Sequence, residues 1–188
     1  MSRMLVVYGT TEGQARKIAR FIADALTRRA EDVVLIDAAD VSKDFPEDLS
    51  AAGFSAAFVV ASVHMQRHNA AATQFAKARA RALTAMPGAL VSVSLHAYGG
   101  EPEDLEEARA YVDDFCAETG WLPKAVHYAA GAVRFAEVDF FKRWIVRRVA
   151  ADQGVKREPG GDAELTDWRA LSGFVDEFLR DQALSAAG

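Results

Sequence analysis

The stretch Leu5–Ala19, with the sequence LVVYGTTEGQARKIA, decides the fold class of this chain. It begins with apolar residues, continues through a short loop of threonines and glycines, and enters a segment of helical period. Unpaired backbone N–H groups at a helix start, together with the helix dipole, favour an anion there. The stretch therefore predicts a strand, a phosphate-sized site and a helix, in that order. A plain helix cap is the alternative that the loop leaves open.

The same two periods alternate along the rest of the chain. Short apolar runs without strict polar alternation are typical of strands buried on both faces of a parallel sheet. These runs are Met4–Tyr8, Val33–Ile36, Ala56–Ala61, Ala89–Val93 and Ala125–Ala130. Repeated strand–helix alternation predicts an α/β fold with a doubly wound, five-stranded parallel sheet.

Helical segments lie between these runs. Apolar residues three and four apart form one stripe each in three of them. The stripes are Ala15, Ile18, Ala19, Ile22 and Leu26, then Leu105, Ala108, Val112, Phe115 and Cys116, then Trp168, Leu171, Val175 and Phe178. The alanine-rich segment Ala70–Leu83 has helical propensity but weak patterning.

Composition narrows the functional classes. The chain has 188 residues, 51% hydrophobic residues and a net charge of −5, which fits one folded domain over residues 1–188 and argues against a general nucleic-acid binder. Cys116 is the single cysteine, so it forms no intramolecular disulfide and is expected in the core. The N-terminal apolar segment is too short for a signal peptide or a membrane span, so we expect a cytoplasmic protein.

The histidines do not predict a metal site. His64 and His68 are four residues apart but are expected in a loop, and no third ligand accompanies them. His127 alternates within a predicted strand and is expected to be a packed residue. No metal is therefore predicted, and no Ser-His-Asp or Cys-His arrangement suggests a nucleophile.

The loop differs from two common phosphate motifs. It lacks the three glycines of a dinucleotide fingerprint and the Gly-Lys-Ser/Thr ending of a P-loop. It resembles the loop after the first strand of flavodoxins, which cradles the phosphate of FMN. Thr10, Thr11, Gly13 and Gln14 match that pattern, whereas Glu12 and Ala15 replace common hydroxyl residues.

Downstream motifs narrow the resemblance. The segments ASVHMQRH at 61–68, MPGALVSVSL at 86–95, AAGAVRF at 129–135 and LTDW at 165–168 occur in an order similar to that of the menaquinone-dependent protoporphyrinogen oxidases. This resemblance implies a flavodoxin-like sheet of strand order 2-1-3-4-5 and FMN as cofactor. It also implies that the flavin carries the chemistry, without a catalytic residue from the chain.

Ligands of open α/β sheets bind beyond the carboxyl ends of the strands, at the switch point of the strand order. With the resemblance, this predicts that FMN lies on the loops after the first, third and fourth strands, with its ring between the latter two. Tyr98 is the candidate for stacking on the ring. The predicted cofactor-binding residues are Thr10, Thr11, Glu12, Gly13, Gln14, Ala15, Ser62, Val63, His64, Met65, Ser94, Leu95, His96, Ala97, Tyr98 and Gly99.

An insertion of about residues 134–165 precedes the last helix. Its first half is basic and aromatic in an acidic chain, which predicts an inserted helix with a surface for substrate or for an anionic membrane. The residues of that surface are Arg134, Phe140, Phe141, Arg143, Trp144 and Arg147. Packing against the same domain or against a second copy in a homodimer is the alternative. Residues 154–161 are predicted to form a surface loop.

Three functions follow as hypotheses. The resemblance implies an FMN enzyme that oxidises protoporphyrinogen IX and reduces menaquinone in haem biosynthesis, at the cytoplasmic face of the inner membrane. A flavodoxin-type electron carrier, or another FMN quinone reductase, is the first alternative, and the acidic segment Glu101–Glu118 favours a carrier. A flavin-free interaction scaffold is the second, suggested by Glu12 and Ala15.

Overall fold

The computed structural model describes residues 3–29, 31–42, 44–98, 102–133, 156–157 and 163–186. The strands are β1 Arg3–Gly9, β2 Asp32–Asp37, β3 Phe54–His64, β4 Arg67–His68, β5 Gly88–Ser94, β6 Ala125–Ala130, β7 Ala132–Val133, β8 Lys156–Arg157 and β9 Ala163–Glu164. The helices are α1 Gln14–Thr27, α2 Ala70–Ala78, α3 Ala80–Thr84, α4 Pro102–Thr119 and α5 Trp168–Ala186.

The long strands form one parallel sheet in the order β2-β1-β3-β5-β6. Because β4 is a two-residue strand that pairs antiparallel with the end of β3, this order is the predicted 2-1-3-4-5. The prediction of a doubly wound, flavodoxin-like sheet is confirmed. The switch point lies between β1 and β3, whose connections run to opposite sides.

The sheet is buried on both faces, as the apolar runs predicted. Met4 and Val6 of β1 pack in the cluster that contains α1 and α5, whereas Leu5 and Val7 pack in the cluster that contains α2 and α4. Neighbouring residues of a strand point to opposite faces, so one apolar strand supplies both cores. The apolar stripe of α1 is fully buried. This packing fixes where each strand ends, and therefore where the loops of the site begin.

Four local differences from the sequence predictions have physical reasons. Leu105 is 39% exposed, because the first turn of α4 starts at the carboxyl edge of the sheet. The segment predicted as one helix is split at Arg79, whose guanidinium donates to the carbonyls of Phe45 and Pro46. The end of β3 folds back through β4 as a hairpin.

The fourth difference lies in the insertion. Residues 156–157 were predicted in a loop, but they form β8, which pairs with β9, and β9 pairs with β7. Backbone pairing on both sides of β9 accounts for the strand. The predicted helix of residues 134–149 lies outside the described residues. Within the described ranges, no helix combines the length and apolarity that crossing a membrane requires.

Candidate functional site

The loop after β1 opens into a cavity of about 470 Å³, within the usual range of ligand pockets. We call it the loop cavity. It lies at the carboxyl end of β1, beside the switch point of the sheet. Its walls come from the β1–α1 loop, the end of β2 and the start of α2: Thr10, Thr11, Glu12, Gly13, Arg16, Asp37, Ala39, Asn69 and Ala71.

Hydrogen bonds shape the loop itself. The backbone N–H of Gly13 donates to Thr10 Oγ1 at 2.8 Å, and that of Thr11 donates to Ser62 Oγ at 3.2 Å. Ser62 lies near the end of β3, and its hydroxyl donates to the carbonyl of Gly9 at 3.4 Å. The first and second predicted loops are therefore tied together by Ser62, which was predicted as a cofactor residue.

The first turn of α1 begins at a glycine that lines the loop cavity. Gly13 is the N-cap residue, with φ of 94°, and as a glycine it makes no side-chain cap hydrogen bond to the N–H groups that follow it. A residue with a side chain is strained at this φ. The helix dipole favours an anion at such a terminus, and Arg16 adds a cation to the wall of the cavity. These residues fit a phosphate group.

Glu12 lies at the edge of this arrangement. Its carboxylate Oε1 is 3.9 Å from Nδ1 of His64, and both side chains are about half exposed. The carboxylate therefore reaches toward the second loop. It also lines the loop cavity, so its negative charge remains close to any anion bound there.

Gln14 and Ala15 point away from the loop cavity. The side-chain amide of Gln14 donates to Glu164 Oε1 at 2.9 Å and to Thr166 Oγ1 at 2.8 Å, and the side chain is buried. Ala15 is fully buried in the core beside α5. Both side chains are engaged elsewhere, so these two residues would offer a ligand their backbone N–H groups, and their place in the cofactor site stays a prediction.

The second predicted loop is a tight hairpin between β3 and β4. Met65 and Gln66 form its turn, with φ of 49° and 65°. Both values are left-handed, which residues other than glycine adopt at a cost of about 1 kcal/mol or more. Met65 is 84% exposed at the tip, whereas Val63 is half-buried and pairs with His68. His64 and His68 were predicted in a loop, but they lie in the two strands of the hairpin.

The third predicted loop follows β5 and forms one turn of 3₁₀ helix, His96–Tyr98. The N–H of Ala97 donates to Ser94 Oγ at 3.3 Å, and that of Tyr98 donates to the carbonyl of Leu95 at 3.0 Å. Leu95, His96, Ala97 and Tyr98 are half-buried. This compact turn places the backbone of the five described residues among the six predicted ones at the carboxyl edge of the sheet.

A second, larger cavity of about 770 Å³ lies between the hairpin and α4, and we call it the hairpin cavity. His68 lines it and is hydrogen-bonded through Nε2 to the buried Ser92 Oγ at 2.9 Å. Burial lowers the pKa of His68 to about 4, so its imidazole is neutral at pH 7. On the other face of the sheet His127 stacks on Phe174, and burial lowers its pKa as well.

The sequence analysis missed several residues of the loop cavity. Arg16, Asp37 and Asn69 line it, yet none belongs to the phosphate pattern. Arg16 lies two residues after the loop, and a cation so close to it could have been predicted to contact an anion bound there. Asn69 caps α2 by accepting from Ala71 N and Ala72 N, and Asp37 accepts from Ala39 N. These caps could not be placed without the register of the sheet.

Some predicted site residues lie outside the described part of the chain. They are Gly99 and the insertion residues Arg134, Phe140, Phe141, Arg143, Trp144 and Arg147. Among the residues that the structure does describe, no group of three or more His, Cys, Asp or Glu side chains could hold a metal ion. Cys116 is a half-buried free thiol, and burial raises its pKa.

Comparisons with known proteins agree with this geometry. The flavodoxin domain model matches residues 5–159. The chain is 25% identical over 175 residues to protoporphyrinogen IX dehydrogenase [quinone] of Escherichia coli K12, covering 93% of each chain. The Leishmania major protein of the same name is 26% identical over 176 residues, which are 94% of this chain and 74% of that one.

Solved structures show the same fold at low identity. Oxidised flavodoxin 1 from Bacillus cereus has a TM-score of 0.57 and 12% identity, over 95% of this chain and 98% of that one. A short-chain flavodoxin associated with a bacterial microcompartment has a TM-score of 0.55 and 14% identity, over 96% and 99% of the two chains.

Proposed function

Because the chain belongs to the flavodoxin domain family, we propose that it is an FMN-dependent oxidoreductase. The observation that carries this proposal is the first turn of α1, which starts at Gly13 on the wall of the loop cavity beside Thr10, Thr11 and Arg16. Bound FMN would supply hydride and electron transfer. The chain would supply the binding, orientation and electrostatics.

Each loop has a distinct task in this proposal. The backbone N–H groups that start α1, the threonine hydroxyls and the Arg16 guanidinium hold the phosphate. Thr10 accepts from Gly13 N and can donate its own proton to the anion. The hairpin tip at Met65 and the turn His96–Tyr98 flank the ring, with Tyr98 as the aromatic candidate for stacking. Ser62 keeps the phosphate loop and the hairpin in register.

We propose protoporphyrinogen IX as the electron donor and a quinone, menaquinone in particular, as the acceptor. Two named relatives, at 25% and 26% identity over more than nine-tenths of this chain, support this choice. The reaction would serve haem biosynthesis. The basic residues Arg134, Arg143 and Arg147 are the proposed partners of the substrate propionates, on the basis of sequence alone.

The aromatic residues of the insertion carry a separate proposal of contact with an anionic membrane surface. Charge reversal of Arg143 and Arg147 should lower sedimentation with phosphatidylglycerol vesicles, while reversal of Arg20 in α1 and of Arg28, the residue after it, should not. Equal binding by both double variants would leave the insertion without a membrane role.

The first experiment measures the cofactor. The purified protein should quench FMN fluorescence on titration, and riboflavin, which lacks the phosphate, should bind more weakly. Arg16→Ala should weaken FMN by about tenfold and riboflavin much less, since a charged hydrogen bond contributes about 1.5–3 kcal/mol. Lys17→Ala, one residue along, is the matched control. A protein that does not bind FMN would refute the redox proposal and leave the scaffold hypothesis.

The second experiment measures the reaction. FMN-loaded protein is mixed anaerobically with protoporphyrinogen IX and a soluble menaquinone analogue, and porphyrin fluorescence is followed. A rate above that of free FMN is expected only with the quinone present. Absence of that rate in a protein that binds FMN would favour the electron carrier, for which the acidic α4, with Glu103, Asp104 and Glu106, offers a docking surface.

A further inference from the structure

Three side chains form a closed polar cluster at the carboxyl edge of the sheet. The hydroxyl of Tyr111 donates to Glu107 Oε1 at 2.8 Å and lies 3.3 Å from His96 Nδ1. The other ring nitrogen of His96, Nε2, is 3.4 Å from Glu107 Oε2. Both nitrogens of the imidazole and both oxygens of the carboxylate are thus engaged within the cluster.

The cluster joins two elements that the backbone leaves apart. His96 lies in the turn after β5, whereas Glu107 and Tyr111 lie one turn apart on α4 and share one face of it. Tyr111 is only 6% exposed, and its ring meets that of His96 edge-on at 5.7 Å. Burial and the hydrogen bond to Glu107 raise the pKa of the Tyr111 hydroxyl, which therefore keeps its proton.

This contact differs from the packing that holds α4 on the sheet. Ala108, Val112 and Phe115 form the buried stripe of the helix and provide its main contact with the core. The cluster lies beside this stripe, and two of its three members are partly exposed: the His96 side chain is 25% exposed and that of Glu107 43%.

We propose that Glu107 and Tyr111 are positioning residues that, through His96, hold the turn His96–Tyr98 in the conformation that receives the isoalloxazine ring. The inference rests on the proposed function. The turn belongs to the third predicted loop, which faces the ring and not the phosphate. Loosening the turn therefore reduces binding of the ring and leaves the phosphate contribution unchanged.

The test uses two variants that change single atoms. Tyr111→Phe removes the hydroxyl. Glu107→Gln replaces one acceptor oxygen of the carboxylate by an NH2 group, which is a donor. Glu106→Gln removes the same charge from the same turn of α4, outside the cluster, and is the control. Fluorescence titration gives Kd for FMN and for riboflavin, and hydrogen exchange of the unliganded protein reports on residues 96–98.

Both cluster variants should weaken FMN and riboflavin by the same factor of about five to ten, the value of one net hydrogen bond. The ratio of the two Kd values stays at that of the parent, and residues 96–98 exchange faster. Glu106→Gln stays within twofold for both ligands. A residue with a structural role alone would lower the melting temperature but leave both Kd values within twofold of the parent.

Two results would overturn the positioning role. One is a Kd within twofold of the parent in both cluster variants, and the other is a loss confined to FMN, which would place the effect at the phosphate. In either case FMN binding by the parent leaves the proposed function standing. A parent that binds no FMN refutes the proposed function and, with it, the positioning role.

Discussion

The side-chain amide of Gln14 donates to the hydroxyl of Thr166 at 2.8 Å, across 152 positions of sequence. Thr166 in turn donates to the carbonyl of Ala130 at 2.7 Å, at the end of β6. The first turn of α1 is thereby bound to Thr166, two residues after β9 and two before α5. The side chain of Gln14 thus fastens the return from the insertion to the sheet.

Gln14→Ala should lower the free energy of unfolding by about 1–3 kcal/mol. The substitution leaves the buried Thr166 and the Glu164 carboxylate without their shared donor. FMN affinity should change less than threefold, because the backbone N–H of residue 14 is kept. Gln14→Glu should be more destabilising, since it sets a second carboxylate against Glu164. Urea denaturation followed by circular dichroism, with FMN titration, checks both; a tenfold loss of FMN with unchanged stability would contradict the assignment.

Gly9→Ala should destabilise the protein by about 1–3 kcal/mol and weaken FMN. An added Cβ at residue 9 would lie 2.5 Å from Asn69 Oδ1 and 2.7 Å from Ala72 Cβ, so the start of α2 has to move. Gly173→Ala is the opposite control: its Cβ meets nothing within 4 Å inside α5, and it should stabilise by about 0.5–1 kcal/mol. Thermal and urea unfolding of both variants measures the difference; equal stability of the two would contradict the close approach.

His68 should make the protein sensitive to acid. Because burial holds its pKa near 4 in the folded protein, against an ordinary value of 6.5, the unfolded chain binds the proton more readily. Stability is therefore full above about pH 6.5 and falls as the pH decreases to about 4, by about 3 kcal/mol at about 1.4 kcal/mol per unit. His127 contributes in the same direction.

The test of this acid sensitivity compares how steeply the free energy of unfolding changes with pH in the variant and in the parent. His68→Gln should be less stable at pH 7, because Ser92 and Phe115 lose their partner, but its stability should fall less between pH 6.5 and pH 4. Urea unfolding at half-unit pH steps supplies the data, and parallel curves for His68→Gln and the parent would disprove the link.

The sequence predicted the sheet because its strands are buried on both faces, so runs such as Leu5–Val7 carry the signal without any partner. The loop after β1 was equally local, since Thr10 and Gly13 form their contact within four residues. The position of Gln14 could not be predicted, because its partner is decided by how the chain returns after the insertion. Periodicity reports which face of an element is buried, but not which distant polar group meets it.

The hairpin and the cluster on α4 show the same limit: contacts between distant residues are not predicted by local sequence. Residues 62–68 were predicted as a loop and not as a hairpin. No glycine marks the turn, although Met65 and Gln66 both adopt left-handed conformations there. The contacts of Glu107 and Tyr111 could not be predicted from the acidic segment that contains them, because its charges indicated only a solvated helix face. Their role became visible only when the turn after β5 was placed beside α4.

Glu12→Gln should strengthen the binding of FMN. The carboxylate lines the loop cavity, where it repels a phosphate dianion, while its contact with His64 is long at 3.9 Å and largely exposed. Two unit charges about 6 Å apart in water interact by about 0.7 kcal/mol, so a dianion is repelled by about 1.4 kcal/mol, which corresponds to about tenfold in Kd. Riboflavin affinity should stay constant, because riboflavin carries no phosphate.

The gain in FMN affinity should shrink in 1 M salt, where charges are screened within about 3 Å. Asp24→Asn is the matched control: it removes one charge from α1, about 15 Å along the helix axis from its first residue. If Glu12→Gln weakens FMN instead, the carboxylate acts by holding the hairpin through His64, and the loss should then appear with riboflavin as well.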